Sequence, residues 1–315
     1  MSGGDIPGAA GRPDAEATGL IPPAMPKSFT ARFVLALVAG LAVAIALSPF
    51  VALGVASLGF RFPFPRIFDR VVMVSLAVVI ILSARGMDLI PLLQSGFARP
   101  RANLSRAGRG FAVSLGVMAV LFAIAGAMQG FAGAAHAARL LPKYILSAIV
   151  IGLLEEAFFR AFLFGGMQRD FGRTGALLIS SAIYSLAHLV RAPAHFFVTS
   201  LDLTAGVRTL GLSFSQLASP LSALPTLLGL FLLGVVLADA VMLTGTVWFS
   251  VGLHAGFVVG AKLWPKMIFA HHTLPGWLGG WGHQPVISGA AAWVAALAVL
   301  ALLRPLAAAR GESVT

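Results

Sequence analysis

Long apolar runs separated by short polar connections form the main pattern of hydrophobic and polar positions along the chain. A helix of about 20 apolar residues crosses the hydrocarbon core of a bilayer, and runs near that length recur throughout. The pattern therefore predicts an all-α membrane protein, a polytopic bundle of about eight transmembrane helices. The predicted spans cover residues 33–58, 71–84, 110–131, 144–166, 175–190, 224–243, 247–263 and 286–303. Only residues 244–246 separate the sixth and seventh spans, which predicts an antiparallel helical hairpin.

The segments outside these runs complete the predicted organisation. Residues 1–30 are rich in Gly, Pro and Ala and predict a flexible tail, not a cleavable signal peptide, because the first apolar run starts only after Arg32. Residues 31–310 then form a single transmembrane helical domain. Residues 191–222 predict a loop or an interfacial segment. Residues 264–285 hold three of the five tryptophans and predict a loop at the membrane interface.

Composition and charge narrow the class of partner. The chain is 58% hydrophobic and only 10% charged, which is not a soluble globular composition. Its net charge of +11 comes from Lys and Arg that lie mostly between the apolar runs, so we expect contact with the lipid bilayer. No basic face with interleaved aromatic residues is present, and we expect no nucleic-acid partner. The absence of cysteine excludes disulfides and a thiol nucleophile.

The fourth predicted span carries ionisable residues near its centre, namely Glu155, Glu156 and Arg160. Each such group costs about 2.5–3.5 kcal/mol at that depth, so these residues are usually functional. Glu156 and Arg160 are four residues apart and share one helical face, where they neutralise each other. Glu155 is rotated by about 100° and has no such neighbour. The pattern predicts that Glu156 and Arg160 support the site and that Glu155 is its reagent.

Three later spans carry His188, Asp239 and His254 away from their ends. For Asp239 we favour a structural role, pairing with an arginine or capping a polar cavity. The two histidines and Glu155 allow two hydrolytic chemistries. Glu155 could act as a general base on water, with His188 orienting the water and His254 donating to the oxyanion. Alternatively, the three side chains could bind zinc with one open position, across spans rather than on one helix.

These residues, in this order, resemble the CAAX protease and bacteriocin-processing (CPBP, or Abi) family of intramembrane proteases. The family's E-E-x-x-x-R motif is matched by Glu155, Glu156 and Arg160. Its F-x-x-x-H motif is matched at Tyr184 and His188, with tyrosine in place of phenylalanine. Its H-x-x-x-N motif is matched at His254 but not at Val258. The resemblance covers residues 144–260, and the predicted number of spans is consistent with the family.

The resemblance implies an intramembrane endopeptidase that cleaves a peptide or protein substrate near the membrane surface, with or without zinc. It implies that Glu155 activates water with His188, that Glu156 and Arg160 support the site, and that His254 binds metal or stabilises the oxyanion. Val258 is a departure, because valine cannot donate a hydrogen bond. The Ala-, Gly- and Arg-rich composition is compatible with a bacterial inner membrane.

Two other functions agree with parts of the pattern. In a proton- or cation-coupled transporter, Glu155, Asp239 and the histidines would form an ion path. Such a protein is expected to have broken spans in symmetric positions, and the sequence shows no such symmetry. In a non-catalytic member of the same fold, the site would bind a partner protein. The apolar residue at Val258 favours that alternative.

Overall fold

The computed structural model describes residues 28–192, 196–198, 200–268, 274–281 and 284–308, with side chains to residue 303. Within these ranges the chain is helical, without strands apart from one isolated bridge between Phe131 and Ile268, and the all-α prediction is confirmed. The α-helices are α1 (Phe29–Ser57), α2 (Phe64–Leu82), α3 (Leu89–Gly96), α4 (Pro100–Gln129), α5 (Ala134–Glu156), α6 (Gly165–Ala187), α7 (Ala205–Ser213), α8 (Pro220–Thr244), α9 (Trp248–Met267), α10 (Gly276–Gly279) and α11 (Ala290–Ala308).

Three of these helices are long and apolar enough to cross a membrane: α1, α4 and α8. A shorter apolar stretch, Ala290–Leu303, lies in α11. The count of eight spans stays a prediction. The short connection predicted between the sixth and seventh spans is present, because α8 ends at Thr244 and α9 begins at Trp248, and the two helices pack together.

The fourth and fifth predicted spans are separated by a break at one residue rather than by a longer connection. After α5 the chain continues through a π-helical segment, Ala157–Phe164, directly into α6. The break that the sequence pattern placed near residues 167–174 is a kink at Gly172, where φ is 66° and ψ is 179°. Glycine adopts this backbone conformation without the clash that a Cβ would cause. The wider π-helical turns are rare in proteins, and those that occur are often at functional sites. This segment follows directly after the two glutamates.

Buried aromatic rings fix the π-helical segment. Phe162 and Phe164 are almost fully buried in a core that also contains Phe29 and Phe33 of α1. The ring of Phe29 meets that of Phe162 edge to face, with the centroids 5.2 Å apart. Such aromatic pairs contribute about 0.5–1.5 kcal/mol beyond the area that they bury. The packing therefore holds the backbone on which the glutamates and Arg160 are placed.

A seam of glycines brings α9 close to α4. Gly252, Gly256 and Gly260 are spaced four residues apart and lie on one face of α9. A Cβ on Gly252 would overlap the carbonyl oxygen of Ala107, and one on Gly256 would overlap the hydroxyl of Ser114. Small residues at this spacing let helix backbones approach closely in a membrane, where apolar burial alone gives no preference for a partner helix. The seam thereby sets the position of α9.

The connections differ in how much of them the structure describes. Residues 1–27 of the predicted tail, residues 1–30, lie outside the described residues, whereas Ser28 caps α1 and residues 29–30 belong to that helix. The division into a tail and one domain stays a prediction. The predicted loop at residues 191–222 contains α7 and the 3-10 helix Ser215–Ala218. The predicted interface loop at residues 264–285 contains the end of α9 and the short helix α10, while residues 269–273 and 282–283 lie outside the description.

Candidate active site

Three helices bring Glu155, His188 and His254 to one point. Glu155 lies near the end of α5, His188 caps the C-terminus of α6, and His254 lies in the middle of α9. The Oε2 atom of Glu155 is 3.7 Å from the Nε2 atom of His188 and also 3.7 Å from the Nε2 atom of His254. The three residues that the sequence singled out on separate predicted spans are thus brought together.

The end of α6 orients His188. Its Nδ1 atom lies 2.8 Å from the backbone oxygen of Tyr184, one helical turn earlier. Because a carbonyl oxygen only accepts, Nδ1 carries the proton of this hydrogen bond. The ring also packs on that of Tyr184, with the centroids 4.4 Å apart. A neutral His188 held in this way presents the lone pair of Nε2 to Glu155.

Glu156 is the buried centre of the support. Its carboxylate has no exposed surface, and Arg160 Nε lies 3.5 Å from Oε2, so the predicted pair is formed. Two partners from α9 add to it: Nδ1 of His254 donates to Oε1 at 2.9 Å, and the hydroxyl of Ser250 donates to Oε2. One turn separates Ser250 from His254, so both side chains reach the same carboxylate. Glu156 thus joins α5 to α9 and orients His254.

Arg160 joins the same network to two more helices. It is only 2% exposed, and its Nη2 atom donates to the backbone oxygen of Gly234 in α8 at 3.3 Å. Its guanidinium also lies over the ring of Tyr184 in α6, 4.5 Å from the centroid. Arginine suits this position because its planar group can pair, donate and stack at once. The charge of Glu156 is therefore balanced inside the bundle.

The hydrogen bonds of the two histidines determine what the site offers to a substrate. With both Nδ1 atoms used as donors, a neutral His188 and a neutral His254 present Nε2 lone pairs towards the Oε2 atom of Glu155. Three acceptors then surround one point, and a water molecule there would donate its two protons to two of them. His254 also lies between the two carboxylates of Glu155 and Glu156, so as an imidazolium it donates from both nitrogens. The arrangement can orient water and can stabilise a negative charge.

A cavity of about 340 Å³ opens beside Glu155, His188 and His254. Glu155 and His188 are partly exposed, at 29% and 26%, whereas His254 is only 3% exposed. Most of the other lining side chains are apolar and come from α4, α8, α9 and α11. A carboxylate and two histidines beside an apolar cavity can bring water to a substrate that is held in apolar surroundings.

The other predicted site residues lie at different distances from this cavity. Tyr184 and Val258 line it, so the position where the family motif has asparagine faces the site with an apolar side chain. Asp239 is buried in α8 and does not line the cavity. A search of the described residues for groups of three or more His, Cys, Asp or Glu that could hold a metal ion found none.

Sequence reasoning missed two polar residues near the site. Ser250 precedes His254 by one turn, and that spacing alone indicates that it shares the buried face. Gln284 also lines the cavity, from the connection between α10 and α11. Nothing in the local pattern distinguishes Gln284 from other polar residues of a loop, because its position depends on how the chain folds back over α8 and α9.

Comparison with known proteins agrees with the geometry. Residues 136–260 match the model of the Rce1-like family, described as type II CAAX prenyl endopeptidase Rce1-like. The matched region contains all of the motif residues and ends two residues after Val258. The match confirms the resemblance inferred from the motifs. The comparisons found no match among curated proteins or solved structures. The apolar helices and this protease domain together indicate an integral membrane protein with peptide substrates at the membrane.

Proposed function

We propose that this chain, which carries an Rce1-like type II CAAX endopeptidase domain at residues 136–260, hydrolyses a peptide bond near the membrane surface with water activated by Glu155 and His188. The observation that carries the proposal is the convergence of Glu155, His188 and His254 beside one apolar cavity. The substrate is a peptide or protein in or at the bilayer. We place the enzyme in a bacterial inner membrane, as the composition favours.

The chemistry follows from the acceptors in the site. Water donates one proton to Glu155 and directs the other to Nε2 of His188, while its oxygen attacks the peptide carbonyl carbon. The carbonyl π electrons move to oxygen, and His254, as an imidazolium, donates to the oxyanion from Nε2. The intermediate then collapses, the C–N bond breaks, and Glu155 returns its proton to the leaving amine. Glu156 and Arg160 keep His254 in place throughout.

Substitution of the proposed base tests this function. The purified protein in liposomes is given a farnesylated CAAX peptide and an unlipidated membrane-anchored peptide, each with a fluorophore and a quencher on either side of the bond. Glu155→Gln and His188→Ala should each lower the cleavage rate by about 10²-fold or more, the usual contribution of a general base. His136 of α5 is exposed, and His136→Ala is the matched control that should keep full activity. Full activity in Glu155→Gln overturns the proposal.

Zinc is the alternative activator that the sequence predicts, with Glu155, His188 and His254 as its ligands. Zinc would polarise the water and the peptide carbonyl in place of the base. We route no step through zinc, and these three side chains are the ones that would hold it. Metal analysis of active protein and activity after incubation with 1,10-phenanthroline distinguish the two routes. One zinc per chain, with activity lost on chelation and restored by zinc, would replace the glutamate route.

The two other functions make different predictions. A transporter should carry protons or cations across liposomes containing the purified protein, and Glu155→Gln should abolish the flux. The position of Asp239 away from the cavity disfavours a path that uses both acids. A partner-binding protein should keep its cellular effect in Glu155→Gln, whereas an endopeptidase should lose it.

A further inference from the structure

A turn outside the family-matched region forms one wall of the cavity. Residues 284–287 lie between α10 and α11, and all four line the cavity beside Glu155. Three of them, Pro285, Val286 and Ile287, are apolar. Gln284 is the only carboxamide among the described residues that line the cavity, and its side chain is half-buried.

The backbone of this turn is held in a conformation that its sequence does not favour. Val286 has φ of 69° and is buried, although a β-branched residue is strongly disfavoured in the left-handed region. Strain of this kind persists only where the surroundings enforce it, and it clusters at functional sites. The amide of Val286 donates to the oxygen of Gly279 at 3.0 Å, and its own oxygen accepts from the amide of Gly289 at 2.8 Å. The turn is therefore fixed on both sides of Val286.

Further contacts fix the two ends of the turn. The hydroxyl of Ser288 donates to the backbone oxygen of Gln284 at 2.6 Å. The indole of Trp293 donates to the backbone oxygen of Ile287 at 3.0 Å. That same oxygen lies so close to Gly229 of α8 that a Cβ there would overlap it. Gln284 thus extends from a turn whose backbone is held by hydrogen bonds.

The cavity has few groups that can donate a hydrogen bond to a substrate carbonyl oxygen. Both Nδ1 atoms of His188 and His254 are already used, which leaves Nε2 of a protonated His254 as the histidine donor to the oxyanion. Val258 offers no polar group. The carboxamide of Gln284 carries two N–H donors and no charge, so it can bind a peptide carbonyl in apolar surroundings without a large desolvation cost.

We propose that Gln284 is a further catalytic residue that donates a hydrogen bond to the carbonyl oxygen of the cleaved peptide bond, where Val258 supplies no donor. This inference rests on the proposed endopeptidase function. It makes the strained turn at Val286 part of the active site, because the turn places the carboxamide before substrate binds. Preorganised donors of this type stabilise the oxyanion because no rearrangement is needed during reaction.

The test compares two substitutions at Gln284 that keep its size. Gln284→Met removes all polar groups, and Gln284→Glu keeps only acceptors. Each should lower kcat by about 10²-fold, the usual effect of losing one oxyanion donor, with a much smaller change in KM. The probe is whichever of the two quenched peptides above the wild-type protein cleaves. Unfolding temperatures equal to that of the wild-type protein confirm that the fold is kept.

A compensating substitution makes the test specific. Val258→Asn adds an amide donor on the other wall of the same cavity. The double variant Val258→Asn with Gln284→Met should therefore have a kcat at least 10-fold higher than that of Gln284→Met alone. A 10-fold gain corresponds to about 1.4 kcal/mol of recovered transition-state stabilisation. A structural defect would not be rescued in this way. Wild-type kcat in Gln284→Met overturns the inference. Retained kcat in Gln284→Met with a large loss in Tyr184→Phe also overturns it and transfers the role to the tyrosine hydroxyl.

A spectroscopic measurement covers the case in which neither peptide is cleaved. The infrared stretch of a ¹³C-labelled carbonyl at the intended bond is recorded for the unlipidated peptide bound to Glu155→Gln protein. It should lie at lower frequency than in protein that also carries Gln284→Met, because a donated hydrogen bond weakens the C=O bond. Identical frequencies overturn the inference and leave the endopeptidase proposal standing. Cleavage by Glu155→Gln would overturn that proposal instead.

Discussion

Removing the charge of Glu156 while keeping its shape should strongly destabilise the protein. In Glu156→Gln the guanidinium of Arg160 stays 2% exposed but loses the anion whose Oε2 atom is 3.5 Å from its Nε atom. At an effective dielectric constant of about 20, that attraction is worth about 5 kcal/mol. Part of it offsets the cost of desolvating both groups, and breaking a buried pair on one side typically costs about 3–5 kcal/mol. We expect the free energy of unfolding to fall by that amount.

Removing both charges should recover much of the loss. In the double variant Glu156→Gln with Arg160→Met, no unpaired charge is left in the bundle, and a buried pair replaced on both sides is often nearly neutral. Equilibrium unfolding in mixed micelles of dodecyl maltoside and sodium dodecyl sulfate, followed by tryptophan fluorescence, measures all of these free energies. The double variant should be more stable than Glu156→Gln by about 2 kcal/mol or more.

An exposed pair of the same chemistry gives the matched control. Asp88 and Arg169 form an ion pair whose side chains are 45% and 55% exposed. Asp88→Asn should cost less than about 1 kcal/mol, because solvent screens the pair. The reasoning fails if Glu156→Gln costs no more than Asp88→Asn, or if the losses in the buried double variant simply add.

Three further predictions concern packing and hydrogen bonds. Gly256→Ala places a Cβ against the hydroxyl of Ser114 and should lower the free energy of unfolding by about 1–3 kcal/mol in the same assay. Gly116→Ala meets open space and should not destabilise the protein. Equal losses of stability in the two variants would contradict the role of the glycine seam. Ser250→Ala removes a donor to buried Glu156 and should cost about 1.5–3 kcal/mol, and a loss below 0.5 kcal/mol, roughly that of an ordinary surface change, would contradict that role. Burial raises the pKa of Asp170, but hydrogen bonds from residues 28–30 at the start of α1 outweigh burial, and the net effect is a lowered pKa. The ionised carboxylate therefore stabilises the fold at pH values above about 4, the ordinary pKa of aspartate. Asp170→Asn should therefore cost less than about 1 kcal/mol at pH 7, because solvent screens the exposed carboxylate, and the difference should be lost as the pH falls below about 4; a difference independent of pH would contradict this.

The residues that the sequence singled out lie together in the structure, whereas the predicted span ends differ from the helix ends, and the reason is physical. Ionisable residues at membrane depth are costly, so Glu155, His188 and His254 were conspicuous before any geometry was known. Helical periodicity also separated Glu156 from Glu155, and the pair between Glu156 and Arg160 is formed. The roles assigned to these residues stay predictions.

Tertiary packing determined what periodicity could not. Apolar composition gave no indication that α5 continues through π-helical turns into α6, because that conformation depends on aromatic packing against α1. Likewise, spacing could not predict that Glu156 would bind His254, since their contact requires the close approach of α5 and α9. The position of Gln284 beside the cavity could not be predicted from the sequence, because it depends on the folded turn at Val286.

In the proposed mechanism Glu155 and His188 act on the same water molecule as one unit. Single-turnover cleavage rates of Glu155→Gln, His188→Ala and the double variant, measured in liposomes, test that claim most directly. Residues that act as a unit are strongly non-additive, so the double variant should be no slower than the slower single variant, within about 3-fold. Multiplication of the two single losses in the double variant would mean that the residues act independently, and it would contradict the account.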